Sequence, residues 1–125
     1  MQYIIYNADA LEIYRTVYIC EGAINAETLG ENWIATGGKA VSRYQVNKFI
    51  KSPVEKFIIL IDPDAKDKAL DLAFKLVPFK KVKVVFLPDN EDVNSLGKRR
   101  TLEYVRETTY QTYQELLSIK SQLKL

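Results

Sequence analysis

Apolar residues along this chain follow two rhythms. Short unbroken runs occur at Val17–Cys20, Trp33–Thr36, Phe57–Ile61 and Val82–Leu87, the last interrupted only by Lys83. Runs of this length, rich in isoleucine and valine, are the pattern of strands buried on both faces. Between them the apolar spacing becomes helical: Val46, Phe49 and Ile50, then Ala69, Leu72, Ala73, Leu76 and Val77. Ser42 and Gln45 form a capping box for the first of these helices, and Pro53 marks its end. Ala23–Leu29 suits a further short helix closed by Gly30. Ahead of these, Gln2–Asn7 reads as an extra N-terminal strand, and Asn7–Leu11 as a turn or brief helix. From Arg100 onward there is no breaker, and Leu102, Val105, Thr109, Tyr113, Leu116 and Leu117 mark one face of a single long helix to Leu123. Strand and helix alternate from Val17 to Leu87, which predicts an α/β fold with a mostly parallel, doubly wound sheet and helices on both faces.

The centre of that sheet is Phe57–Ile61, which stops on Asp62-Pro63-Asp64. In extended backbone residues i and i+2 point the same way, so the two carboxylates project together past the strand end. Pro63 cannot continue a ladder. The carboxyl ends of strands are where open α/β sheets bind ligands. Two other strands also end near acid: Cys20 is followed by Glu21-Gly22, and Leu87 by Pro88-Asp89-Asn90-Glu91-Asp92. Glu21, Asp62, Asp64 and Asp92 therefore converge on one edge. Each has a plainer role beside the chemical one. Asp64 also suits the cap of the helix starting near Ala65, and Asp89 and Glu91 read as turn residues.

Composition narrows the chemistry. The chain has 125 residues, enough for one domain. Its single cysteine, Cys20, excludes an internal disulfide. No secretory pattern opens the sequence and no apolar run could span a bilayer, so a reducing, cytoplasmic setting with no membrane is expected. There is no histidine, which removes imidazole-based mechanisms and most zinc sites. A metal here would need oxygen ligands, pointing to magnesium, manganese or calcium. Carboxylates crowded within a few Å repel one another unless a cation neutralises them. Mg²⁺ in such a set shares its shell with phosphate oxygens, which suggests phosphoryl transfer or phosphodiester cleavage.

These residues resemble the Toprim domain, shared by primases, topoisomerases, OLD-type nucleases and recombination proteins. The likeness covers about residues 15 to 100. It rests on Glu21-Gly22, Asp62-x-Asp64 and the Leu87-Pro88-Asp89-x-x-Asp92 loop, each after a strand. Within that family it is closest to the catalytic domain of bacterial and phage DNA primases. Glu21-Gly22 with Asn25-Ala26 is similar to the primase Glu-Gly-x-x-Asp segment. Ala35-Thr36-Gly37-Gly38 with Ser42-x-x-Gln45 is similar to the following loop and helix. Leu87 to Asn94 resembles Leu-Pro-Asp-Gly-x-Asp-Pro-(Asp/Asn).

The resemblance implies a Rossmann-like, four-stranded Toprim sheet. It implies Glu21 as general acid or base and a Mg²⁺ or Mn²⁺ site of Glu21, Asp62, Asp64 and Asp92. Asn25 and Asn94 stand where aspartate is common, so they are candidate neutral ligands and fewer metals are expected. Lys39, Arg43, Lys98 and Arg99 are candidate contacts for phosphate or nucleic acid, with a solvated surface as the plainer role. Lys80, Lys81 and Lys83 lie at the opposite edge, where solubility explains them equally well.

The expected function is a primase catalytic module making RNA primers on single-stranded DNA from nucleoside triphosphates. The whole chain, 1–125, would be one domain with its core at about 15–100 and a C-terminal helix at about 100–123. It would be one piece of a larger primase. Its partners would be a zinc-binding module, an N-terminal polymerase subdomain and a replicative helicase. The alternatives are a metal-dependent Toprim nuclease and a non-catalytic interaction module.

Overall fold

The computed structural model describes residues 5–21, 30–36, 41–60 and 63–125. Its centre is a four-stranded sheet in the order β2-β1-β3-β4. The strands are β1 (Thr16–Cys20), β2 (Trp33–Ala35), β3 (Lys56–Leu60) and β4 (Lys81–Val84), all parallel. Side-chain alternation divides the sheet into two faces. Val17, Ile19, Ile34, Phe57, Ile59, Val82 and Val84 pack into one core. That core is closed by α1 (Ala10–Ile13), α2 (Arg43–Lys51), α3 (Lys66–Leu76) and α5 (Tyr113–Gln122). Tyr18, Cys20, Trp33, Ile58 and Leu60 face the other way, with Val85 and Leu87 beyond β4, under α4 (Val93–Glu107). The expected parallel sheet with helices on both faces is therefore present, and β3 is buried on both sides from Phe57 to Leu60.

Local signals set several boundaries. The Ser42–Gln45 capping box forms, with Gln45 N–H donating to Ser42 Oγ at 3.2 Å and Ser42 N–H to Gln45 Oε1 at 2.9 Å. α2 ends at Lys51, ahead of Pro53. Gly30 has φ +117°, a conformation suited to glycine. The helix expected at Ala23–Leu29 lies outside the described residues. So does the start of the expected N-terminal strand, of which Tyr6 makes an antiparallel bridge to Ala35. No helix among the described residues is long and apolar enough to cross a membrane.

The C-terminal region differs from expectation. The single helix expected over 100–123 is two helices on opposite faces of the sheet: Val105 is buried in the α4 core and Leu116 in the other. No proline or glycine causes the break; local caps and one tertiary hydrogen bond do. Thr108 Oγ1 donates to Tyr104 O at 2.8 Å, ending α4. Gln111 N–H donates to Val82 O at 3.0 Å, drawing the connection along β4. Thr112 then opens α5 through a capping box with Glu115.

Lys83 secures this arrangement and corrects its reading as a solubilising residue. It is 7% exposed. Its Nζ donates to Val105 O at 2.7 Å and Thr108 O at 2.9 Å at the end of α4, where Val105 O otherwise has only the Thr108 N–H at 3.3 Å. It also lies 4.7 Å from the Tyr110 ring centroid. Lys80 acts similarly, donating to Ser52 O at 2.7 Å and Val54 O at 2.6 Å after α2. Burial, with Lys56 as a lesser cause, lowers the Lys83 pKa from the usual 10.5.

Replacing Lys83 with Met removes the Nζ donor from Thr108 O and from Val105 O, which keeps only the long Thr108 N–H bond, and should destabilise the fold by about 1–3 kcal/mol at neutral pH. The measurement is the urea midpoint at unchanged m-value. Because the unfolded chain holds the Lys83 proton more tightly, the cost of burying the charge is present at neutral pH. It is relieved as pH rises through the lowered folded pKa toward 10.5. The gap between wild type and Lys83→Met should therefore widen in that alkaline window.

Candidate active site at the carboxyl edge of the sheet

Four parallel strands place all their carboxyl ends on one edge. Cys20 is in register with Ala35 on one side and Leu60 on the other, and Ile59 with Val84. The segments that follow therefore start side by side. Glu21 comes directly after β1 and is half-buried. After β3 the chain passes through a 3₁₀ turn, Pro63–Ala65, into α3. After β4 it turns at Asp89-Asn90 and enters α4 at Asp92.

The last two segments face each other across an open cleft of about 580 Å³, lined by Pro63, Asp64, Asp89, Asn90, Glu91, Asp92 and Ser95. The structure thus brings together Asp64 and Asp92 of the expected set, joined by Asp89 and Glu91. Glu21 stands on the same edge but does not line this cleft. Asp62, Asn25 and Lys39 lie outside the described residues. Asn94 is exposed in the first turn of α4 and does not line the cleft. Arg43, the first residue of α2, and Lys98 and Arg99 of α4 are exposed and also outside it. A cation does reach the rim: Lys66 Nζ is 3.8 Å from Asp89 Oδ1.

Local chemistry holds each acid differently. α3 has Ala65 at its N-cap and no side-chain cap, so Asp64 is exposed and not used as one. Asp92 is a cap: its Oδ1 accepts from Ser95 N–H at 2.8 Å, and Ser95 Oγ accepts from Asp92 N–H at 2.9 Å. Ser95 Oγ lies 3.1 Å from Glu91 Oε2 and donates to it, so Ser95 ties two cleft carboxylates to the helix, Asp92 through its main-chain N–H and Glu91 through its hydroxyl. Sequence reasoning missed Ser95; the Asp-x-x-Ser spacing before an apolar helix face was the available signal. Asn90 adopts φ +64° where the resembled loop carries glycine, and asparagine is among the few residues that tolerate this region. Gly97 (φ 82°, ψ 165°) kinks α4 just before Lys98 and Arg99. An added Cβ there would meet nothing within 4 Å, so its glycine is needed for conformation rather than space.

The donors lining the cleft are hard oxygens, which suit a divalent ion that retains water ligands. Among the described residues no group of three or more carboxylates and thiols is close enough to hold such an ion by itself. Asp64 and Asp92 would therefore hold a metal only together with water, substrate oxygens or donors from neighbouring segments.

No family model matches the sequence, and no curated protein matches it. Solved structures do match its fold. A DNA primase domain from Pseudomonas aeruginosa superposes with TM-score 0.72 at 20% identity, covering 87% of this chain and 39% of that one. The DnaG primase catalytic domain bound to single-stranded DNA gives TM-score 0.67 at 20% identity, covering 87% and 41%. The E. coli primase catalytic core gives 0.67 at 19%, covering 87% and 40%. The chain thus spans about two-fifths of the length of these structures, and it has a DnaG-like Toprim fold.

The different uses of the two acids separate their mutational effects. Asp92→Ala removes a helix cap and should cost about 0.5–2 kcal/mol. Asp64→Ala, at an exposed position with no cap role, should stay within about 0.5 kcal/mol of wild type. Chemical denaturation of both variants without metal checks this.

Proposed function

We propose that the chain is the catalytic module of a DNA primase, acting in replication in the cytoplasm. It would join nucleoside triphosphates into an RNA primer on a single-stranded DNA template. The observation that carries this reading is the DnaG-like Toprim fold with Glu21, Asp64 and Asp92 on its carboxyl edge. In primer extension a 3′ hydroxyl attacks the α-phosphorus of the incoming nucleotide and pyrophosphate leaves. Glu21 is assigned the proton transfer, as the base that takes the hydroxyl proton or the acid that serves the leaving group. Asp62, Asp64 and Asp92, with Glu21, would hold Mg²⁺ or Mn²⁺, which when bound offsets phosphate charge and aligns the reacting oxygens. Asn25 and Asn94 would add neutral oxygen donors.

The kink at Gly97 sets Lys98 and Arg99 at the start of the second part of α4, near the edge where phosphates would arrive. With Lys39 and Arg43 they would contact triphosphate or template backbone. The remaining partners would be a zinc-binding module, an N-terminal polymerase subdomain and a replicative helicase, supplied by the rest of a longer primase.

Primer synthesis on single-stranded DNA by the full-length protein in Mg²⁺ or Mn²⁺ is the direct test. Glu21→Gln and Asp62→Asn should each lower it by about 100-fold or more. Activity retained by both variants would overturn the assignment. Metal-dependent cleavage of the template, with no extension, would instead make the chain a Toprim nuclease.

A further inference from the structure

The strand starts gather cations. Lys56 of β3 is paired in register with Lys81 of β4, and like charges facing one another across neighbouring strands repel. Residues i and i+2 of a strand share a face, so Lys83 follows Lys81 on that side of the sheet. The Tyr110 ring lies among them, its centroid 5.6 Å from Lys56 Nζ and 4.7 Å from Lys83 Nζ. The fold uses Lys83, on Val105 O and Thr108 O. Lys56 and Lys81 have no such employment. Among the described residues neither has a carboxylate within ion-pair distance, and Glu55, beside Lys56 in the chain, turns to Arg15 at 3.9 Å. Next to this cluster is a groove of about 620 Å³ between the turn after α3 and the connection from α4 to α5. Val77, Pro78, Tyr110 and Tyr113 line it with apolar and aromatic surface, and Lys81 adds a cation. Phe79, in the same turn, is 63% exposed, and Tyr113 is 52% exposed.

We propose that this groove binds a stretch of single-stranded nucleic acid, at the opposite end of the sheet from the acidic cleft. Two features select that occupant. Cations held together without carboxylates favour an anion, and here they are lysines. Among the described residues no arginine lines the groove, and planar two-point recognition of a carboxylate is characteristic of arginine. Lysine acts as a point charge toward phosphate. The second feature is the exposed aromatic surface beside those charges. Bases stack on such rings while their backbone follows the cations, which is how single strands are held without sequence preference. The inference does not rest on the primase reading, because none of the residues assigned to that reaction takes part.

The test is fluorescence anisotropy of a labelled oligothymidylate titrated with the whole chain in EDTA, where no divalent ion can bridge it to the cleft acids. Lys81→Ala and Phe79→Ala, both at exposed positions, should each weaken binding about fivefold or more. Their salt dependence should differ. Lys81→Ala should flatten the log–log slope by about 0.7, the loss of one phosphate contact to a single strand, and Phe79→Ala should leave the slope as it is. Lysine acetylation gives a check without substitution: bound oligonucleotide should protect Lys56 and Lys81 in the wild-type chain. Absence of binding, or binding that both substitutions leave unaltered, would overturn the proposal. So would binding lost only in Lys98→Ala and Arg99→Ala, or equal acetylation of Lys56 and Lys81 with and without oligonucleotide. Displacement of the oligonucleotide by polyglutamate at equal charge would also overturn it, and would make the groove a site for acidic polypeptide.

Discussion

Burial of β3 on both faces is the constraint on which the rest depends. A strand from Phe57 to Leu60 with no exposed side can exist only if helices cover both faces of its sheet and strands flank both its edges. β1 and β4 supply the flanks in parallel, so the chain must cross from one end of the sheet to the other between strands. Every strand then releases its next segment at the same edge. The acids after β1, β3 and β4 are neighbours for that reason, and not because any of them attracts another. At 25 cal/mol per Å² of apolar surface, burying a single large side chain such as Phe57 is worth about 2–3 kcal/mol. Repulsion among partly solvated carboxylates at this edge is small beside several such burials.

The pattern of apolar runs was enough to read the sheet, its parallel sense and the edge that carries the acids. It was not enough for the C-terminal region. Leu102, Val105, Leu116 and Leu117 keep a helical spacing, but Val105 and Leu116 serve cores on opposite sides of the sheet. Periodicity reports that a residue is buried, not which layer buries it. The break between the two helices is held by Lys83 and Gln111 reaching groups distant in sequence, which local spacing does not encode, whereas the Thr112-x-x-Glu115 capping box that opens α5 was a local signal. Lys83 carried a signal that was discounted: one cation inside an otherwise apolar strand is costly unless it finds acceptors. Here it finds two carbonyls.

At the site the outcome was similar. The expectation that Asp64 and Asp92 would share an edge is met, since both line one cleft. Their different attachments were only half legible. Asp64 could be a cap by sequence, and the structure gives that position to Ala65 instead. Asp92 was read only as a ligand, yet it also holds the start of α4. The capping bond uses one carboxylate oxygen, and a second oxygen remains to face the cleft, so the two roles are compatible. Ser95 makes them interdependent, because the hydroxyl that completes the cap also holds Glu91.

The same topology settles where the helix dipoles point. A helix that returns the chain to the start of the next parallel strand begins at the carboxyl edge, so α2 and α3 start there, and α4 starts there after β4. The positive ends of α3 and α4 border the acidic cleft and lessen its repulsion, each by a few tenths to about 1 kcal/mol. The negative ends of all three lie toward the strand starts, where Lys80 and Lys83 meet the last carbonyls of α2 and α4. Asp64 and Asp92 thus sit beside helix N-termini at one end of the sheet, and Lys80 and Lys83 beside helix C-termini at the other. The consequence for ligand binding is specific. A phosphate approaching the carboxyl edge meets helix N-termini that favour it and carboxylates that oppose it. A divalent cation between the two would remove the opposition without weakening the helix contribution. An acidic edge and a phosphate substrate are therefore compatible on this fold when a cation joins them.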